Sequence, residues 1–195
     1  MIELEKGQVL GRGLTQRALD PRKNTETMVE RGTSSQWKGD HMESMPFVLK
    51  PGEGRAIDLG NFLMTVKAEA KNTAGAFTLL EATEPPNFGP PMHIHRNSAE
   101  AFYVLEGEYI IFIDQQEIRC PAGSFVYIPP GAVHGFRVGE TASRKLNLYV
   151  PEAMIGYFDE LAAAIQSGDV DDARLAEIAD RYGMEVVGPV PKGYA

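Results

Sequence analysis

His93, His95, Glu100 and His134 fall at spacings that let neighbouring strands aim three imidazoles and one carboxylate at a single point. On a β-strand side chains alternate faces, so His93 and His95, two apart, point the same way. The following Arg96-Asn97-Ser98 has turn composition. The chain then enters Glu100-Ala101-Phe102-Tyr103-Val104-Leu105, where Glu100, Phe102 and Val104 share a face. One turn therefore returns Glu100 beside the two histidines. Further on, Pro130-Gly131 supplies a tight turn, and His134 opens the next strand with Phe136 on its own face. The chain has only four histidines, and three are in this set. Imidazole together with carboxylate suits one divalent transition ion, Fe, Mn, Ni, Co, Cu or Zn, rather than Ca or Mg. The remaining histidine, His41, lies in a polar stretch without a partner pattern and reads as a surface residue.

The elements that must carry these side chains divide the chain into three parts. Residues 1–44 are polar and turn-rich, without sustained periodicity, and read as an N-terminal extension that cannot bury enough apolar area to fold alone. Two explanations stand for it. One is an arm reaching a partner subunit; the other is a true start at Met42, with Lys38-Gly39 encoded by a ribosome-binding-like stretch just upstream. Strand-like sequence begins at Met45-Pro46-Phe47-Val48-Leu49. From 45 to 150 short strands are broken by Gly, Pro and Asn: 56–59, 62–69, 76–83, 92–95, 100–105, 108–114, 117–120, 124–128, 135–138 and 145–150. No helical period competes, so this region is all-β, a closed barrel or sandwich. Residues 151–195 switch to a helical period. Pro151 suits an early helical position, and Met154, Phe158, Leu161 and Ile165 form one apolar stripe that ends at Ser167-Gly168. A second helix starts near Asp169 to Asp172, stacks Leu175, Ile178, Ala179 and Tyr182, and stops at Gly183. These stripes cover the barrel or a dimer contact, and Phe158 can help close the barrel mouth.

The run Gly89-Pro90-Pro91-Met92-His93-Ile94-His95 with Glu100 and the closing Gly107, and the run from Gly123 to His134, resemble the two signature motifs of the cupin superfamily. The second motif departs at its end, where the family often has asparagine and this chain has Val138; that removes a polar group near the site and leaves the ligand positions filled. The resemblance implies a double-stranded β-helix, the cupin jelly-roll barrel, with two C-terminal helices. It also implies a divalent metal held by His93, His95, Glu100 and His134. Pro46 to Gly54, the Gly-Pro-Pro-x-His-x-His stretch, Glu100 to Gly107 and the ending Arg181-Tyr182-Gly183-Met184-Glu185 look like bacterial single-domain cupins often labelled quercetin 2,3-dioxygenase-like. That likeness implies a metal-dependent dioxygenase acting on a flavonol-like or other enol or aromatic small molecule. Glu100 would then be both ligand and catalytic base, which asks for a neighbouring group to steady it; the sequence names none. Two other classes stand beside it: an isomerase or lyase using the metal as a Lewis acid, and a non-catalytic small-molecule-binding cupin.

Around the metal positions, Phe77, Phe102, Phe112, Phe136 and Leu148 are the candidate substrate-lining residues, with Leu79 and Leu146 on the same strands, although small barrels are filled mostly by core side chains. Arg96 sits on the turn and Arg137 opposite His134 and Phe136, so no cationic cradle is evident and the site suits an apolar or aromatic molecule carrying a metal-binding oxygen. The net charge of -8 and the lack of a basic run argue against nucleic acid as a partner. No apolar stretch approaches bilayer length, so no membrane partner is expected. The charged N-terminus lacks a signal-peptide core, which makes cytoplasmic the default. Cys120, the single cysteine, reads as a small buried hydrophobe. Strand edges and helix stripes together predict a homodimer.

Overall fold

The computed structural model describes residues 44–189. Its strands are β1 (Arg55–Asp58), β2 (Leu63–Ala68), β3 (Thr78–Glu84), β4 (Met92–His95), β5 (Ala99–Glu106), β6 (Glu108–Ile113), β7 (Gln116–Pro121), β8 (Phe125–Ile128), β9 (His134–Val138), β10 (Ser143–Val150) and β11 (Met184–Gly188). Its helices are α1 (Ala70–Thr73), α2 (Ile155–Ser167) and α3 (Asp172–Arg181). All ten expected strands form, none more than two residues from its expected limits. The expected start at residues 45–49 is not a strand: the segment pairs with no strand among the described residues, and its Met45, Phe47, Val48 and Leu49 side chains are exposed.

The strands pair antiparallel throughout in two sheets, one ordered β1-β2-β3-β10-β5-β8 and the other β11-β4-β9-β6-β7. This is the jelly-roll double-stranded β-helix expected from the sequence. Alternation along each strand turns one face inward. In β3, Thr78, Leu80, Ala82 and Glu84 are buried while the residues between them are more exposed. In β10, Ser143, Lys145, Asn147 and Tyr149 are the buried set. Phe102, Val104, Tyr109, Ile111, Val126, Ile128, Phe136 and Val138 fill one end of the interior, with Cys120 buried among them as expected. A second cluster joins Ile57, Leu59, Met64, Val66 and Leu80 to the helical segment.

That segment behaves partly as its periodicity predicts. The stripe of α2, Phe158, Leu161 and Ile165, packs on the second cluster together with Met154. The helix begins at Ile155 and not near Pro151, because Met154 adopts a left-handed φ of 72° and so cannot continue a helical turn behind it. α3 is capped by Asp171, whose side chain accepts from the Arg174 amide at 2.8 Å, and it buries Ile178 and Ala179. The Tyr182 hydroxyl donates to Glu160 Oε1 at 2.6 Å and ties α3 to α2. After Gly183 the chain makes β11, an element absent from the helical reading of residues 151–195. β11 pairs with β4 so that Met184 stands opposite His95 and Val186 opposite His93.

Candidate metal centre

The four ligand candidates come from both sheets. His93 and His95 leave β4 on one face, and His93 pairs directly with His134 at the start of β9. Glu100 comes from β5 in the opposite sheet, returned by the turn through Arg96-Asn97-Ser98. Two backbone bonds fix the strand ends that carry them: the Arg96 amide donates to Gly183 O at 2.9 Å, and the Gly131 amide to His95 O at 2.8 Å. All four side chains are buried, and one atom from each lies within 4.8 Å of every other.

The hydrogen bonds around the imidazoles decide what this cluster fits. His93 Nδ1 lies 2.8 Å from Pro91 O and His134 Nδ1 2.9 Å from Ala132 O. A carbonyl only accepts, so both Nδ1 atoms carry protons and both Nε2 atoms turn to the interior. There His134 Nε2 is 2.7 Å and His95 Nε2 3.1 Å from the same oxygen, Glu100 Oε2. His95 Nε2 is buried without a well-formed hydrogen bond. Lone pairs converging on a carboxylate repel unless a proton or a cation lies among them, and three imidazoles with one carboxylate are a donor set for a divalent transition ion. The residues present therefore fit such a metal.

The electrostatics agree. Burial pushes the Glu100 carboxyl up, but the hydrogen bond from His134 and the close approach of His95 outweigh it and hold the group well below the usual range. Burial drives His93 down to about 4, with His134 and His95 adding to the effect against the attraction of Glu100. His134 is raised: burial opposes protonation, but the bond to Glu100 prevails. One anion and at least one neutral imidazole thus face each other in an interior of low polarity.

Glu100 has the supporting neighbours that its expected role requires. Asn147 Nδ2 donates to Glu100 Oε1 at 3.0 Å and to the Tyr149 hydroxyl at 2.8 Å. Burial, then the Glu100 charge, raises the Tyr149 phenol well above its ordinary value, so it stays neutral. Sequence reasoning missed both because it turned Leu146 and Leu148 inward. The actual alternation of β10 is inverted: its polar residues face the interior and its leucines the outside. The signal was a carboxylate in need of a donor opposite a strand carrying Asn147 and Tyr149 at every second position.

A cavity of about 720 Å³, its mouth included, opens from the cluster. Leu59, Phe62, Met64, Leu80, Phe136 and Met184 line it together with Met154, Tyr157, Phe158 and Leu161 at α2, and His93, His95 and Glu100 of the cluster share the same lining. Of the expected substrate-lining residues, Phe136 is in this lining. Phe102 stands behind it, edge-on at 5.8 Å between ring centroids. Phe112 packs with Met92 and Ile110 in a separate cluster on the other face of β6. Leu148 and Phe77 fall on the outward register of β10 and of the approach to β3, so neither lines the cavity. Two inward charges were not foreseen, Lys145 and Glu84, and they correct the expectation that no cation faces the site. His41 and the 1–43 segment lie outside the described residues.

Residues 80–148 match the cupin domain family, and the strand register is that of a jelly roll, so this part of the chain is similar to that family in both sequence and fold. It is 31% identical over 118 residues to the quercetin 2,3-dioxygenase of Bacillus subtilis, a match that covers 60% of this chain and 35% of that protein. An uncharacterized protein of Methanocaldococcus jannaschii is 33% identical over 57 residues, 29% of this chain and 46% of the relative. The chain thus matches less than half the length of either relative. Among solved structures, KdgF from Halomonas sp. aligns with a TM-score of 0.50 at 16% identity, covering 55% of this chain and 96% of that one, and supports the fold. No helix among the described residues is long and apolar enough to cross a membrane.

Proposed function

We propose that this protein is a cupin and a metal-dependent dioxygenase acting on a flavonol-like or other enol-bearing aromatic molecule. The observation that carries the reading is a buried three-imidazole, one-carboxylate cluster placed at the base of a largely apolar cavity. The similarity to a quercetin 2,3-dioxygenase supports the choice of substrate class. His93, His95, His134 and Glu100 would hold the metal. When bound, that ion supplies Lewis acidity toward an enol oxygen and a redox-capable centre for dioxygen.

The chain's own residues supply the rest. The apolar wall binds a planar aromatic body and excludes water. Asn147 grips Glu100 through Oε1 and leaves Oε2 to take up the enol proton, so the carboxylate can loosen on one side without swinging away. Tyr149, neutral and hydrogen-bonded to Asn147, keeps the amide in place. Oxygen uptake by protein reconstituted in turn with each candidate metal, across a panel of flavonols and simpler enols, tests the proposal. Uptake stoichiometric with product is the expected result. Product without oxygen uptake would replace the reading by an isomerase or lyase, and tight binding without turnover by a small-molecule-binding cupin.

A further inference from the structure

Outside the metal cluster, Glu84 and Lys145 are the buried charged side chains among the described residues, each 3% exposed. Lys145 Nζ donates to Glu84 Oε2 at 2.5 Å, and the Tyr109 hydroxyl donates to the same oxygen at 2.8 Å. Aromatic rings surround the ammonium: the centroid of Phe136 lies 3.9 Å away, that of Tyr109 4.8 Å and that of Phe102 5.4 Å. Both charged side chains line the cavity that opens from the metal cluster.

Stability does not account for such a pair. Removing two charges from water offsets most of their mutual attraction, and apolar side chains of similar volume would do as well among these rings. The carboxylate is nonetheless held in place, since the single Tyr109 hydroxyl proton lies between Glu84 Oε2 and Ser143 O, each 2.8 Å from the phenol oxygen. Its hydrogen-bonding capacity is not exhausted. Both bonds to Glu84 end on Oε2, which leaves Oε1, and an ammonium has three donors of which one is used on Glu84. Lys145 precedes Asn147 by two residues on the same face of β10, and Phe136 follows His134 by two on β9. The pair therefore lies about 7 Å along the strands from the residues that hold Glu100.

An adjacent ammonium and carboxylate, neutral as a unit, offer one donor and one acceptor side by side. A hydroxyl satisfies both at once, accepting from Nζ and donating to Oε1. A carboxylate or phosphate would meet the Glu84 charge at the same point. We propose that Glu84 and Lys145 form a second recognition point in the cavity, which selects substrates carrying a hydroxyl on the end remote from the metal-binding oxygen. The inference rests on the flavonol-like reading above and narrows it to hydroxylated members.

Anaerobic titration of the metal-loaded protein with quercetin and with 3-hydroxyflavone tests it. The two share the metal-binding enol and differ in ring hydroxyls. Wild type is expected to bind quercetin at least about tenfold more tightly, because a buried donor and acceptor left without a partner penalise the bare analogue. The double substitution Glu84→Gln with Lys145→Met removes both charges together. It should lower quercetin affinity by about tenfold and 3-hydroxyflavone affinity by much less, with metal content at the wild-type level by elemental analysis. Equal binding of the two probes by wild type, or a preference that survives the double substitution, would overturn the inference and leave the dioxygenase reading standing. Binding of neither probe would overturn both. Should the double variant fail to fold, the single variant Glu84→Gln makes the same comparison, and a wild-type preference that survives it would overturn the inference.

Discussion

At the residue scale, His134 has the most to lose. Its Nε2 is the imidazole nitrogen nearest Glu100, and its Nδ1 is anchored to the backbone. His134→Ala, and likewise His93→Ala, should reduce the metal content of reconstituted protein to a small fraction of wild type. Far-ultraviolet circular dichroism should remain that of the barrel, because neither histidine belongs to the apolar clusters. Elemental analysis finding no transition metal in wild type after reconstitution would refute the assignment. Glu100→Gln keeps the shape and removes the base, so turnover should fall by at least about a hundredfold while metal content falls less. Metal loss equal to that of the histidine variants would reduce Glu100 to a ligand. Asn147→Ala should retain metal and lower kcat more than it raises KM, since the amide donates to Glu100 Oε1; the opposite split would assign it to substrate binding. The clustering of His93, His95, Glu100 and His134 was legible in the sequence because spacing by two on strands around turns is a rigid constraint. Asn147, Tyr149, Lys145 and Glu84 were not, because apolar residues are placed inward by default. That default reverses in β10, whose inner face carries polar groups to the cavity.

At the scale of elements, the strand that presents His93 and His95 is held on both sides, by β9 and by β11. The first of these was expected; the second was concealed. Met184 to Gly188 is a short run directly behind an amphipathic helix, with no alternation long enough to announce a strand, and only its pairing partner across some ninety residues defines it. α1, a single turn at Ala70–Thr73, is likewise too short to show a period. The ten other strands were legible because Gly, Pro and Asn bound nearly every one of them. Gly107 shows how strict such a boundary can be. It adopts φ 73° between β5 and β6, and a Cβ there would lie 2.1 Å from Ser143 Oγ and 3.0 Å from Ser143 Cα. That hydroxyl accepts from the Glu108 amide at 3.0 Å. Gly107→Ala therefore combines a left-handed backbone with a steric overlap and a displaced hydrogen bond, and should cost at least about 2 kcal/mol. Urea unfolding of the metal-free protein measures this, and an unchanged midpoint would show that the turn relaxes freely.

At the scale of the whole molecule, the outer face of the larger sheet stands apart from the rest of an acidic surface. Tyr103, Phe125 and Tyr127 are 45%, 66% and 58% exposed. They share that face because Tyr103 pairs with Phe125, and Ala101 with Tyr127, across β5 and β8. Leu146 and Leu148 extend the patch, opposite Tyr103 and Ala101 on β10. Among the described residues β8 is the edge of its sheet, beside the exposed aromatic rings. A chain of net charge -8 repels its own copies, and association is least opposed where the facing side chains carry no charge. A two-fold axis through this patch would set the same uncharged side chains against each other, the self-complementarity that an isologous contact requires. We therefore expect a homodimer closed by this face. Light scattering at micromolar concentration should give twice the chain mass for wild type and the single mass for Phe125→Lys with Tyr127→Lys, whose four added charges per dimer would be buried against one another. Metal content should be equal in the two forms, since the ligands lie on the interior side of the strands. A wild-type monomer would sink the expectation, and a dimer that survives both lysines would move the interface elsewhere.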